Sequence, residues 1–409
     1  MKAEWRAWLD DLSATFKALW RLAAGPPALE VPHEALLERT EAAVAALHPR
    51  TMRLRLVEVV PETPSTKTLR FQRTDAELPP FRPGQYVSLA LQIGPVATTR
   101  PYSISSPSGL DCIDLTVKNN PGGFVAPYLL EQTPGWEVTS SGPAGSFVYE
   151  PLRDRGPLVL LAGGSGITPF MAMLRHFAQV GFPAPVQLLF GSRRADDVIF
   201  GDELDRLAAE HAAFDAVTVL SEPPEGYAGP AGFLDADFIG ERVGDVAGKS
   251  FFLCGPEAMI EHVALALDTL GVPAHAIRRE SFGPPGDVAA APGWPAEVDP
   301  SREFSVEVAG HGRLPARASE PLLSVLERGG LSVPSACRTG ECAECRMRLV
   351  SGTTWSPPDA GVREADAAQG YIHTCVAYAT SDVELAPSKQ VNPGTRPPAR
   401  PSARPPDEG

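Results

Sequence analysis

The chain has 409 residues, 43% hydrophobic and 21% charged. That is too long for one ordinary core and too apolar for a disordered chain, so about two to four soluble domains are expected. A formal net charge of -14 argues against nucleic acid as a partner, because phosphate binding needs clustered cations; an acidic surface suits docking on basic patches of other proteins.

In chain order, Trp5, Trp8, Leu9, Leu12, Phe16, Leu19 and Trp20 fall on one helical face, with Lys2, Glu4, Arg6, Asp10, Asp11 and Lys17 elsewhere. Two readings of that face stand: a helix docked on the chain's own body or a sister subunit, or peripheral contact of residues 1–20 with a membrane surface or a partner enzyme. Gly25-Pro26-Pro27 ends this helix, and an alanine-rich one runs from about His33 to Leu47, until Pro49. Residues 1–50 thus read as a helical N-terminal extension. From 51 to 150 short alternating strands (Met52 to Val60, Thr68 to Phe71, Gln85 to Leu91, Cys112 to Val117) predict an antiparallel β-barrel. From 151 to 285 buried strands (Leu158 to Ala162, Val186 to Phe190, Ala216 to Leu220, Ser250 to Cys254) alternate with helices, as in a parallel-sheet α/β domain. The uncharged run Gly156 to Leu174 is broken by Pro157, Gly163, Gly164, Gly166 and Pro169, so it reads as strand, turn and helix start and no transmembrane segment is expected. A Pro/Gly/Ala-rich linker occupies 286–300, and 301–387 reads as a mixed sheet around one helix (Pro321 to Arg328), a β-grasp. The Pro/Arg-rich tail 388–409 is expected to be disordered.

The β-grasp segment carries Cys337-x4-Cys342-x2-Cys345-x29-Cys375, the plant-type spacing for a [2Fe-2S] cluster. Three thiolates on a tight loop and a fourth from a distant strand encircle two irons, and Gly340 lets the loop curl so that N–H groups face the sulfurs. Zinc is the main rival, but it usually comes with paired C-x2-C knuckles or histidine, and the nearby histidine is His373 alone. Disulfides would need an oxidising compartment, and no signal peptide is read ahead of them. A cluster passes one electron at a time, so an electron relay is expected.

The barrel carries Arg100-Pro101-Tyr102-Ser103 followed by Ile104-Ser105-Ser106. A flavin needs an aromatic face to stack on, a hydroxyl near N5 and a fixed cation for its diphosphate; Tyr102, Ser103 and Arg100 supply these. With this motif and the cluster spacing, residues from about 51 to 386 resemble the ferredoxin-NADP reductase superfamily, in the subtype with a ferredoxin domain fused behind the reductase.

The resemblance implies the remaining site residues. Gly122-Gly123-Phe124-Val125-Ala126 matches the glycine-rich turn whose helix N-terminus meets the flavin phosphates; Ala126 stands where the family has Ser or Thr, and Lys118 is expected to supply part of the missing contact. The same turn looks more like the FAD form of the subtype than the FMN form. Gly163-Gly164-Ser165-Gly166-Ile167-Thr168-Pro169 resembles the family's G-G-x-G-I-T-P, where the glycines admit the nicotinamide dinucleotide's diphosphate and Thr168 would face the hydride-transfer site. Cys254-Gly255-Pro256 resembles the C-G-P turn that sets a cysteine beside the nicotinamide C4. Glu280-Ser281-Phe282 resembles the module's Glu-x-aromatic ending, in which the carboxylate helps organise the active site and the aromatic covers the flavin; Phe282 could instead serve the linker. Ser103, Thr168, Cys254 and Glu280 are therefore the catalytic candidates.

Arg193 and Glu222 are expected to face the adenosine 2'-position. A phosphate there needs a cation and a free hydroxyl favours a carboxylate, so Glu222 favours NADH, with NADPH the alternative. The resemblance implies an NAD(P)H:acceptor oxidoreductase serving an oxygenase, a desaturase or another metalloenzyme. The competing readings are a redox-responsive anchoring subunit and a free-standing diaphorase. A cytoplasmic protein is expected, with peripheral membrane association the open alternative.

Overall fold

The computed structural model describes residues 33–120, 122–281, 287–388 and 392–393; the amphipathic segment 1–20, Phe282 and most of the tail lie outside them. Residues 1–49 form one unit and 50–409 another. In the first, the helix His33–Leu47 ends just before Pro49, with Val44 and Leu47 exposed. No helix among the described residues is long and apolar enough to cross a membrane.

The second unit begins with six strands: β1 (Met52–Thr63), β2 (Thr66–Arg73), β3 (Tyr86–Ile93), β4 (Val96–Ser103), β5 (Cys112–Lys118) and β6 (Glu137–Ser140). They form one antiparallel sheet in the order β4-β3-β6-β1-β2-β5. A bridge between Ile104 and Leu115 draws the two edges together, which curls the sheet into a barrel. In β1 the side chains alternate as a half-buried strand requires: Met52, Leu54 and Leu56 are buried, while Arg53 and Arg55 face out. Cys112, which matches no motif, sits half-buried at the start of β5.

The α/β segment contributes β7 (Leu158–Gly163), β8 (Val186–Ser192), β9 (Phe214–Leu220), β10 (Ser250–Cys254) and β11 (Ile277–Glu280). All pair in parallel, in the order β11-β10-β7-β8-β9. Every residue of the central strand β7 is buried, because apolar cores cover both sheet faces. The chain runs from β7 outward to β9 and then crosses back to β10 on the other side of β7. The crevice at the carboxyl ends of β7 and β10 is therefore the switch point where ligands bind in such sheets, and both Gly163 and Cys254 end there.

The last segment comprises β12 (Glu303–Val308), β13 (Gly312–Arg317), β14 (Leu331–Ser332), β15 (Arg346–Ser351), β16 (Thr354–Trp355), β17 (Tyr371–His373), β18 (Tyr378–Ala379), β19 (Val383–Pro387) and β20 (Asn392–Pro393). The main sheet has the order β13-β12-β19-β15-β17, with β12 and β19 parallel at its centre. The helix Leu322–Arg328 buries Leu322, Leu323, Val325 and Leu326 in the same core as Cys345 and Cys375. Within the tail, β20 pairs with β14.

Candidate active site and cluster loop

The sheet register places the flavin motif. Along β4, Arg100 and Tyr102 lie two residues apart and so share a face; Ser103 pairs with Tyr86 of β3. Burial pushes the Tyr102 phenol up, and also the Tyr86 phenol, next to which Cys337 adds its charge. The Ser103 hydroxyl is buried with no hydrogen-bond partner. Such orphans are rare in native folds, and a flavin ring edge, which carries hydrogen-bonding atoms, fits the place. The helix Val125–Leu130 starts at the glycine turn, and its N-cap, Phe124, makes no side-chain cap. Its first N–H groups are thus unclaimed by a cap. Gly122 takes φ 76° and Gly123 N–H donates to Asn120 O at 2.9 Å.

Two cations in this region have partners invisible in the sequence. Arg100 Nη1 donates to Thr99 O at 2.8 Å and lies 3.8 Å from Glu327, a buried carboxylate of the helix Leu322–Arg328. Burial, and then the nearby Arg338, pull the Arg100 pKa down to about 10. Lys118 Nζ pairs with Asp197 at 2.6 Å, and Thr63 and Ser65 hydroxyls donate to the same carboxylate. Burial would raise Asp197, but the hydrogen bonds from Lys118, Ser65 and Thr63 outweigh it and the carboxyl is held low.

In the α/β segment the two dinucleotide turns are packed against each other. Gly163 ends β7, Gly164 to Gly166 form a single tight turn, and Ile167–Val180 follows as a helix. A side-chain carbon on Gly166 would sit 2.1 Å from Cys254 O, and one on Gly163 would sit 2.1 Å from Met259 Sδ. Only glycine fits in the first case, because the obstacle is backbone. Thr168 Oγ1 donates to Ser165 O at 2.9 Å, so the threonine braces the glycine turn from within; Pro169 is buried behind it. Cys254 and Glu280 are register partners on β10 and β11. Burial pushes the Cys254 thiol up, with Glu280 adding to it. Burial likewise raises Glu280, with Glu341 adding to it, and Glu280 Oε2 is buried without a partner. At the ends of β8 and β9, Arg193 and Glu222 form an exposed ion pair at 3.4 Å, and Glu222 N–H donates to Arg193 O.

The cluster loop lies between β14 and β15, and Cys375 follows β17. Arg338, Gly340 and Ala343 all take positive φ (58°, 87° and 57°), a run of left-handed residues that wraps the backbone around the sulfurs. Thr339 and Cys342 N–H groups point at Cys337 Sγ, each at 3.4 Å. Sulfur contacts link the four cysteines in a chain: the Cys342 and Cys375 thiols donate to Cys337 and pull it well below the ordinary thiol range. Cys375 also donates to Cys345, taking it to about 7. The same contacts push the Cys342 and Cys375 thiols up, so protons are shared unequally within the set; it is the gathering of four cysteine sulfurs at one loop that fits iron-sulfur ligation. His373 does not face the sulfurs. It is buried, contacts Gly340 O with one ring nitrogen, and meets Asp366 at 3.0 Å with the other, bracing the loop from behind.

The three segments meet in one cavity of about 200 Å³, whose lining includes Tyr86, Phe147, Glu280, Ser281, Cys337 and Glu341. The sequence shows the separate motifs, and Arg338 and Glu341 as polar residues of the cysteine loop, but not Glu327 or Asp197, nor the contacts between segments that all four make.

Comparison with known proteins agrees with this geometry. Residues 53–149 match the oxidoreductase FAD-binding domain family, 160–264 the oxidoreductase NAD-binding domain family and 306–380 the 2Fe-2S iron-sulfur cluster binding domain family. The glycine betaine monooxygenase reductase subunit of Chromohalobacter salexigens is 31% identical over 348 residues, covering 81% of this chain and 94% of the relative. The ferredoxin reductase component of 3-ketosteroid-9-alpha-monooxygenase from Mycobacterium tuberculosis is 31% identical over 81% of this chain and 94% of its own length. In fold, the chain is similar to phthalate dioxygenase reductase, with a TM-score of 0.60 over 82% of this chain and 98% of that one at 24% identity. The chain belongs to the ferredoxin-NADP reductase superfamily, as an oxidoreductase that uses NADH, FAD and a [2Fe-2S] cluster held in its C-terminal domain.

Proposed function

We propose that this protein supplies electrons from NADH to an oxygenase carried on a separate chain, with Cys337 as the entry point to the cluster. The observation that carries the reading is the shared cavity, in which Glu280 of the nucleotide segment, Tyr86 of the flavin barrel and Cys337 of the cluster loop line one space. FAD supplies the conversion of a two-electron hydride into single electrons, and the cluster accepts them one at a time.

The chain's own residues bind and orient. Tyr102 offers a stacking face and Ser103 a hydroxyl at the reacting edge. Arg100 supplies positive charge for the flavin phosphates, with the uncapped helix start beyond Gly122, Gly123, Phe124 and Val125. Lys118, held by Asp197, ties the barrel to the segment after β8 and keeps its charge beside the glycine turns for the flavin phosphates. Gly163, Gly164 and Gly166 let the dinucleotide phosphates approach the helix Ile167–Val180, while Thr168 and Pro169 keep that turn rigid. Cys254, Gly255 and Pro256 close the nicotinamide side; Glu280 stays within the same pocket, its carboxyl pushed above the ordinary carboxylate range by burial. Arg193 is neutralised by Glu222, which leaves the adenosine end suited to a free 2'-hydroxyl. Phe282, outside the described residues, is assigned the flavin-covering position. Cys337, Cys342, Cys345 and Cys375 hold the cluster.

An oxygenase is favoured because relatives matched over most of their length are named as reductase subunits of monooxygenases. The test compares the holoprotein with Cys375→Ser, using NADH as donor and either ferricyanide or cytochrome c as acceptor. Loss of cytochrome c reduction with ferricyanide reduction retained supports exit through the cluster. Cytochrome reduction that survives the substitution would make the protein a diaphorase.

A further inference from the structure

The helix Leu322–Arg328 presents one charged side chain to its buried side, Glu327, which is only 4% exposed. A carboxylate that deep is unfavourable unless its charge and lone pairs are met. Here they are met from two directions. Oε1 contacts Arg338, the residue next to the cluster ligand Cys337, and Oε2 accepts from Thr98 Oγ1 of β4 at 3.1 Å and lies 3.8 Å from Arg100 Nη1. Arg338 in turn donates to Thr98 Oγ1 at 2.9 Å and to Thr99 O. Both partners of Glu327 belong to the relay: one arginine flanks the cluster, and the other is the cation of the flavin strand.

Two further features show that this is a constructed junction. Arg338 takes φ 58°, a left-handed conformation that is unfavourable for an ordinary residue and persists only where surrounding contacts enforce it. Besides the turn of the cluster loop itself, the contacts that hold it are those to Thr98, Thr99 and Glu327. The three charges Arg100, Arg338 and Glu327 also sum to a net positive charge in a largely buried place, so a phosphate-bearing flavin beside Arg100 would complete the balance.

Resting on the relay proposed above, we propose that Glu327 is a positioning residue for flavin-to-cluster electron transfer: one carboxylate holds both Arg338 of the cluster loop and Arg100 of the flavin strand, so that seating the flavin and placing Cys337 are coupled. Hydride arrival, which takes place at the crevice between β7 and β10, does not pass through this junction.

The test uses full-length protein loaded with FAD and cluster, comparing wild type with Glu327→Gln and with Thr98→Val. The second substitution removes the hydroxyl that accepts from Arg338 and from Arg100 and donates to Glu327, while keeping the strand's shape. In anaerobic stopped flow with NADH, both variants are expected to bleach the flavin at close to the wild-type rate. The subsequent cluster bleaching is expected to slow severalfold, because electron transfer falls off steeply with the separation of donor and acceptor. Release of FAD, followed by its fluorescence on dilution, is expected to become easier in both variants. If wild type itself shows no cluster bleaching, the relay fails and the inference with it. If wild type relays and both variants relay at its rate with unchanged FAD retention, Glu327 is only a structural group. Slowing of both phases together would also overturn the proposal, because that is the signature of a generally loosened fold. Should Glu327→Gln fail to fold, the same outcomes are read from Thr98→Val.

Discussion

Replacing Gly166 by alanine tests how closely the two dinucleotide turns are packed. The added carbon would lie 2.1 Å from Cys254 O, 2.4 Å from the Cys254 carbonyl carbon and 2.6 Å from Gly255 N. All three are backbone atoms, so no rotamer change relieves the clash, and ordinary carbon contacts need about 3.5 Å or more. One turn must move by about 1 Å relative to the other. Overpacking of that kind destabilises by about 3 kcal/mol, equivalent to a drop in Tm of about 6–12 °C for a domain of this size. The same shift displaces Cys254 from the position proposed for it beside the nicotinamide, and misplacement on this scale is expected to slow the reaction by about a hundredfold. The control is Gly191→Ala in β8, where the new carbon would stand 3.7 Å from Ala162 O, in ordinary contact; its effect should stay within about 1 kcal/mol. Thermal unfolding of the holoprotein and the rate of NADH-driven flavin bleaching measure both effects. Equal Tm and equal bleaching rates for the two variants would refute the reasoning.

Glu280→Gln should raise Tm at pH 7 while slowing flavin bleaching. Burial and Glu341 hold the folded Glu280 pKa above its ordinary 4.5, so the charged form penalises the fold above that pH and the penalty vanishes once both states are protonated. The gap between variant and wild type should therefore shrink as pH falls toward 4.5; a gap independent of pH would contradict the assignment. Glu222→Ala frees Arg193 from its ion pair, and the NADPH-to-NADH ratio of kcat/KM should rise by about tenfold, the scale of one charge-assisted phosphate contact. An unchanged ratio would remove this pair from the specificity argument.

Much of the fold was legible because its signals are local. The alternation in β1 and the continuous apolar run of β7 each declare a strand by period or by burial on both faces. β6 was missed because Glu137–Ser140 is too short for alternation to register. β11 was missed because Ile277-Arg278-Arg279-Glu280 is an edge strand with three charged residues. The linker composition also hid a packing role: Trp294 meets Trp355 with ring centroids at 5.0 Å and Tyr378 at 6.3 Å. The cluster cysteines and glycine turns were readable because their chemistry sets their spacing. The partners of Arg100 and Lys118 were not, since Glu327 and Asp197 lie far along the chain and only the tertiary arrangement brings them near.

The most direct test of the account is an anaerobic titration of the holoprotein with NADH, followed by visible absorbance and by electron paramagnetic resonance. The account predicts that both flavin and cluster lose their oxidised absorbance and that the signal of a reduced two-iron centre grows with added NADH. Full reduction of the flavin with the cluster still oxidised and silent would contradict it.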